Sequence, residues 1–154
     1  MSKSQASQIA QEAMKSGNNC CQSVLLAANK VWDIPVGEDI LAAASLFAQG
    51  MSSGCTCGAL TGMVMAAGIM HKSYPHPAGS KLPQQLHDQF KQEFGSTCCR
   101  VIRKNRSPME KIGNKGCIKL TSRTAEILVA EWEGYSDVRP EKPTPDIGYN
   151  TNSR

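Results

Sequence analysis

The chain has 154 residues, a net charge of +4, 40% hydrophobic residues and only 5% aromatic ones. That length suits one domain with a core of its own, and an apolar mass drawn from Ala, Leu, Met and Val favours helices packed on helices over a β-sandwich. The mild charge gives no argument for nucleic acid, and no window approaches the roughly 20 apolar residues of a membrane span. The polar N-terminus MSKSQASQIAQEAMKSG has no signal-peptide core, so a cytoplasmic location without membrane insertion is expected.

Residues 3–16 set Ala6, Ile9, Ala10, Ala13 and Met14 at three-to-four spacing, which predicts an amphipathic helix ended by Ser16-Gly17. A second helix is expected over residues 20–32, capped by Asn18 or Asn19 and stopped by Asp33-Ile34-Pro35. A third spans 38–49, where Ile40, Leu41, Ala44, Leu46, Phe47 and Ala48 give a wide apolar face. Residues 50–54 read as a flexible turn. A fourth helix runs from 57 or 58 to 71, apolar nearly all round and therefore central.

Residues 73–83 hold three prolines and read as a loop. A fifth helix covers 84–94, ended by Gly95, and a short sixth begins after Ser96 and carries Cys98, Cys99, Val101 and Ile102. A basic loop over 105–114 leads to a last helix over 115–133. The expected architecture is an all-α, single-domain bundle of about six to seven helices over residues 1–138. A polar, Pro-containing tail, 139–154, is expected to be disordered.

Seven cysteines stand out: Cys20, Cys21, Cys55, Cys57, Cys98, Cys99 and Cys117. In a reducing compartment structural disulfides are rare, so clustered cysteines point to metal binding or redox work. Core filling by small hydrophobes explains one or two of them, but poorly explains two vicinal pairs and a Cys-Thr-Cys. Cys20/Cys21, Cys57, Cys98/Cys99 and Cys117 each fall in or beside the first turn of a predicted helix. Free N–H groups and the positive end of the dipole there favour thiolate. If successive helices pack antiparallel, helices two, four and six begin at one end of the bundle, and the loop before the last helix is long enough to bring Cys117 there too.

The segments Asn19-Cys20-Cys21-Gln22-Ser23-Val24-Leu25, Cys57-Gly58-Ala59-Leu60-Thr61-Gly62, Phe94-Gly95-Ser96-Thr97-Cys98-Cys99-Arg100 and finally Cys117 resemble the C-GCAxxG-C-C family of redox-active proteins, over most of residues 5–133. The resemblance implies that the family's four cysteines are Cys20, Cys57, Cys99 and Cys117, as redox thiolates or metal ligands. Cys21, Cys55 and Cys98 are then extras whose part in the site is open. Gly58, lacking a Cβ, lets backbone approach a bulky ligand beside Cys57, while Gly62 and Gly68 let a neighbouring helix come close.

Four thiolates support several chemistries. The leading expectation is an iron–sulfur cluster or other metal for electron transfer or sensing, since clusters take soft, widely spaced thiolates. Metal-free thiol–disulfide exchange is the alternative. Zinc is the weaker case because no C-x₂₋₄-C pair occurs among the four. A non-enzymatic metal or sulfur carrier, or a scaffold, completes the set.

His71, His76 and His87 read as ordinary surface histidines. Met63 and Met65 read as core filler rather than, with Met51 and Met70, a soft-metal trap. Arg100, Arg103, Lys104, Arg106, Lys111, Lys115 and Lys119 form a basic region flanking Cys99 and Cys117. It reads as a solvated face, or as charge that favours thiolate and steers an acidic redox partner protein. Single-strand nucleic-acid binding is not expected without nearby aromatics, and a homodimer through the small-residue face of helix four is a further expectation.

Overall fold

The computed structural model describes residues 2–133, in helices α1 (Ser2–Lys15), α2 (Cys20–Trp32), α3 (Glu38–Ala44), α4 (Gly58–Ser73), α5 (Leu82–Phe94), α6 (Cys99–Lys104) and α7 (Lys115–Glu133). Short 3-10 turns at Gly79–Lys81 and Ile112–Asn114 lead into α5 and α7. The fold is all-α: the described residues hold no strand beyond one isolated bridge between Thr56 and Cys98. No helix among them is long and apolar enough to cross a membrane. The expected boundary at residue 138 and the tail 139–154 lie outside the described residues.

Local chemistry sets most of the helix ends. Asn19 opens α2 with a reciprocal cap: its side chain accepts from the Gln22 N–H at 2.8 Å, and the Gln22 side chain accepts from the Asn19 N–H at 3.1 Å. Gly95 closes α5 in the left-handed conformation, and Pro83 sits in that helix's first turn, where its missing N–H costs nothing. The prolines therefore do not hold off helix until 84. The expected loop shortens, and α5 begins at Leu82.

The third helix departs furthest from expectation, ending at Ala44 rather than near 49. The Asn19 side-chain amide donates to the carbonyls of Ala44 and Ser45, at 3.1 and 3.0 Å, capturing the groups a longer helix would use. Leu46, expected on the buried face, is 81% exposed. The chain then turns left-handed through Gln49 (φ 54°), Gly50 (φ 60°), Met51 (φ 59°) and Ser52 (φ 55°). For each non-glycine residue this costs roughly 1–2 kcal/mol. Bonds from Ser52 N–H to Ala48 O (3.0 Å) and from Cys55 N–H to Gly50 O (3.2 Å) hold the turn. A Cβ on Gly50 would sit 2.5 Å from Cys55 N and 2.9 Å from the Cys99 Cβ, so this corner needs glycine on two grounds.

Helices α2, α4 and α7 start at one end of the molecule and finish at the other, with α1 antiparallel to α2 and α7. Met14 and Gly17 lie beside Cys20 and Cys117 at the starting end, and Lys3 pairs with Glu133 at the finishing end, 3.1 Å apart. Alanines 6, 10, 27 and 125 let α1, α2 and α7 approach closely. The main core, centred on Leu25, Leu60, Met63, Leu86, Phe90 and Leu128, lies among α2, α4, α5 and α7. Each such side chain contributes about 1.5–3 kcal/mol on burial. Met63 is core, as expected.

At the finishing end, Trp32 and Trp132 meet edge to face at 5.1 Å, and His76 meets Trp132 at 4.9 Å. The expectation of a surface histidine is wrong for His76, which is 4% exposed. Its Nδ1 accepts from the Ala78 N–H at 3.1 Å, so Nε2 carries the proton and faces Glu131 Oε1 at 3.2 Å. Glu131 also accepts from Gln85 and from Gln89, the latter at 2.8 Å. A buried carboxylate is tolerated there because donors surround it.

Candidate thiolate site

Cys20, Cys57, Cys99 and Cys117 line one cavity of about 240 Å³ at the starting end of α2, α4, α6 and α7. All seven cysteines are free thiols. Arg103 and Arg106 share the cavity wall, and no carboxylate lines it.

Two short chain segments set the relative position of Cys57 and Cys99. Residues 55–57 and 97–99 run antiparallel, with the Cys57 N–H donating to Thr97 O at 2.8 Å and the Cys99 N–H to Cys55 O at 2.5 Å. This clamp delivers Cys57 to the start of α4 and Cys99 to the first position of α6. Cys20 is the first residue of α2, and its sulfur lies against Gly58, the residue that follows Cys57. Gly58 makes the approach possible: a Cβ there would lie 2.3 Å from Phe47 O and 2.5 Å from the Cys20 sulfur. Gly62 does the same one turn on, where a Cβ would be 2.6 Å from Cys21 O. Gly68, expected to admit a neighbouring helix, is exposed and has no atom near its would-be Cβ.

Cys117 lies in the first turn of α7 and receives a hydrogen bond from Arg106 Nη1 at 3.0 Å. Gly116 leaves room for that arginine, since a Cβ would stand 2.6 Å from its Cδ and Nε. Arg103 is the cation beside Cys99.

The thiols do not share one acidity. The neighbouring Cys57 thiol, opposed by burial and helped by the N–H groups of Cys21, Cys20 and Ala59, lowers Cys20 to about 7. The Cys20 neighbour and burial raise Cys57. Burial raises Cys99 against the pull of Arg103. Cys20 is lowered chiefly by its Cys57 neighbour, and the expectation that helix-start thiols are acidified by their position therefore fails at Cys21, Cys57 and Cys99. Desolvation there outweighs the dipole.

The other cysteines lie off the cavity wall. Cys21 is fully buried against α4, its sulfur 3.8 Å from Met65 Sδ, and burial pushes it up to about 12. Cys98 bonds to Gly54 O at 3.0 Å, and Cys55 is exposed. The donor set suits a group that takes several soft thiolates. Yet no three His, Cys, Asp or Glu among the described residues stand close enough to hold a single metal ion. Sequence reasoning missed Gly116, Asn19 as the brace of α3, and Thr121 in the cavity wall. The Gly116-Cys117 dipeptide echoes Cys57-Gly58 and was a usable signal for the first.

The family model described as "Putative redox-active protein (C_GCAxxG_C_C)" matches residues 18–131, a span that contains all seven cysteines. No curated protein and no solved structure matches the chain.

Proposed function

The chain belongs to the C_GCAxxG_C_C family of redox-active proteins, and from that premise we propose that its working unit is the Cys20–Cys57 pair, cycling between dithiol and disulfide. The observation that carries this reading is the placement of both thiols on one cavity wall, with the Cys20 sulfur against Gly58, the residue that follows Cys57. A thiolate near 7 is populated at neutral pH and attacks a disulfide sulfur, and a neighbouring thiol then resolves the mixed disulfide. Cys99 and Cys117, with Arg103 and Arg106, complete the electropositive wall.

Alkylation rates against pH test this. Cys20 should react with a midpoint near 7. Cys57→Ala should move that midpoint towards the ordinary value and slow the reaction at pH 7 by up to about fiftyfold, the ratio of half-ionised to about 1% ionised thiol. Cys57→Ser, which keeps a donor, should retain much of the wild-type rate. An unchanged Cys20 rate in Cys57→Ala would refute the pairing.

A second reading rests on four sulfurs from four elements meeting on one carboxylate-free cavity. Cys20, Cys57, Cys99 and Cys117 would hold an iron–sulfur cluster, which supplies one-electron transfer when bound. Arg103, Arg106 and the helix-start N–H groups would then set its charge environment. Brown colour and visible absorbance in anaerobically purified protein decide for this reading over the first. On either reading, the cations around Cys99 suit an acidic redox partner, and free thiols suit a reducing cytoplasm.

A further inference from the structure

We infer that the thiol cavity is a binding site for a small anionic, amine-free disulfide, which the Cys20–Cys57 pair reduces; the inference rests on the dithiol reading above. Three observations on the cavity wall carry it. Arg103 and Arg106 make no ion pair with a carboxylate among the described residues, whereas Arg123 on α7 is held by Glu93 at 2.7 Å and Glu126 at 2.8 Å. Glu110, which shares a neighbouring groove with Arg103 and Arg106, pairs with Lys119 at 3.5 Å instead. Arg106 spends one donor on Cys117, and a guanidinium has five.

The second observation is Thr121. It is 0% exposed, lines the cavity, and its hydroxyl has no hydrogen-bond partner. Buried hydroxyls are nearly always satisfied, and this one is left without a partner on a residue of the cavity wall. The third is size. A volume of about 240 Å³ is roughly eight waters' share of liquid, which suits a small molecule. With no acid on the wall, an ammonium group on that molecule would go unpaired, so carboxylate- or sulfonate-bearing disulfides are favoured over cationic ones.

The chemistry balances. The Cys20 thiolate attacks one sulfur of the ligand; a Cys20–ligand S–S bond forms, the ligand's own S–S bond breaks, and half of it leaves as a thiolate. Cys57 gives its proton to that thiolate and attacks the Cys20 sulfur. The Cys20–Cys57 disulfide forms, and the second half leaves as a thiolate that takes its proton from water. The ligand gains two electrons and the cysteine pair loses two.

Three symmetric two-carbon disulfides test the assignment: bis(2-sulfoethyl), bis(2-hydroxyethyl) and bis(2-aminoethyl) disulfide. Oxidation of the reduced full chain at pH 7 is followed by mass spectrometry, each rate divided by that of 2-mercaptoethanol with the same reagent. The sulfonate should lead and the amine trail, with a spread of at least about tenfold that narrows with salt. Arg103→Gln with Arg106→Gln should shrink the spread. Thr121→Val should slow the sulfonate alone while raising the melting temperature, a pairing that a purely structural role does not produce. Equal normalised rates for all three would overturn the anion site and leave the dithiol reading standing. Failure of every reagent to oxidise the Cys20–Cys57 pair would overturn both.

Discussion

The two ends of the helical bundle solve the same problem in opposite ways. Where α2, α4 and α7 finish, Trp32, His76, Glu131 and Trp132 pack together, with Gln85 and Gln89 donating to the carboxylate and the Ala78 N–H to the ring. Where the same helices start, four cysteines, two arginines and Thr121 line a cavity without a carboxylate. The finishing end closes on itself and holds the helices. The starting end leaves its donors and nucleophiles unspent, at the cost of three non-glycine residues in a left-handed turn beside Cys99. Backbone strain of this kind gathers at functional sites.

Changes confined to one end should separate the two roles. The largest effect is expected from Trp132→Ala, which opens the finishing end and should cost about 3–5 kcal/mol in chemical denaturation. The Cys20 alkylation rate in the still-folded protein should stay at its wild-type value. A comparable loss of thiol reactivity would mean that the two ends are not separable.

Gly62→Ala should cost less, about 1–3 kcal/mol, because its Cβ would press to 2.6 Å on the Cys21 carbonyl and push α2 from α4. Unlike the tryptophan change, it should also slow Cys20, since the Cys20–Cys57 contact depends on that approach. Gly68→Ala meets nothing within 4 Å and serves as the matched control: it should raise stability by roughly 0.5–1 kcal/mol and leave the Cys20 rate unchanged.

The last expected effect is the pH dependence of stability. Cys20 falls from a usual value of 9.0 to about 7 on folding, so its contribution is fully present above about 9 and lost as pH falls through 7. Between those limits the unfolded pair carries two protons and the folded pair one, so stability rises with pH by at most about 1.4 kcal/mol per unit. Above 9 the raised Cys57, Cys99 and Cys21 reverse the slope, because the folded state then keeps protons that the unfolded state releases. Cys20→Ser should flatten the rise between 7 and 9. A rise that survives that substitution would assign it to another group.

Much was legible in the residues. Apolar spacing, Gly95, Asn19 and the Asp33-Ile34-Pro35 stop placed the long helices, because periodicity and end chemistry act within a few residues of one another. The same reasoning failed at residues 45–49. The apolar run there reads as helix, and only a side chain some 25 positions upstream, Asn19, takes the carbonyls that would extend it. It failed again at His76, whose burial depends on Trp132 and Glu131 from the far end of the chain.

By itself, then, the sequence determined an all-α chain whose cysteines cluster at helix beginnings, since those properties are written in local spacing. Tertiary structure decided the rest. It set the clamp between 55–57 and 97–99, the approach of Cys20 to Cys57 past Gly58, and the absence of a carboxylate from the cavity wall that Arg103 and Arg106 share. Thiol acidity followed from that arrangement rather than from helix position, because burial and a single sulfur neighbour outweigh the field of a helix end.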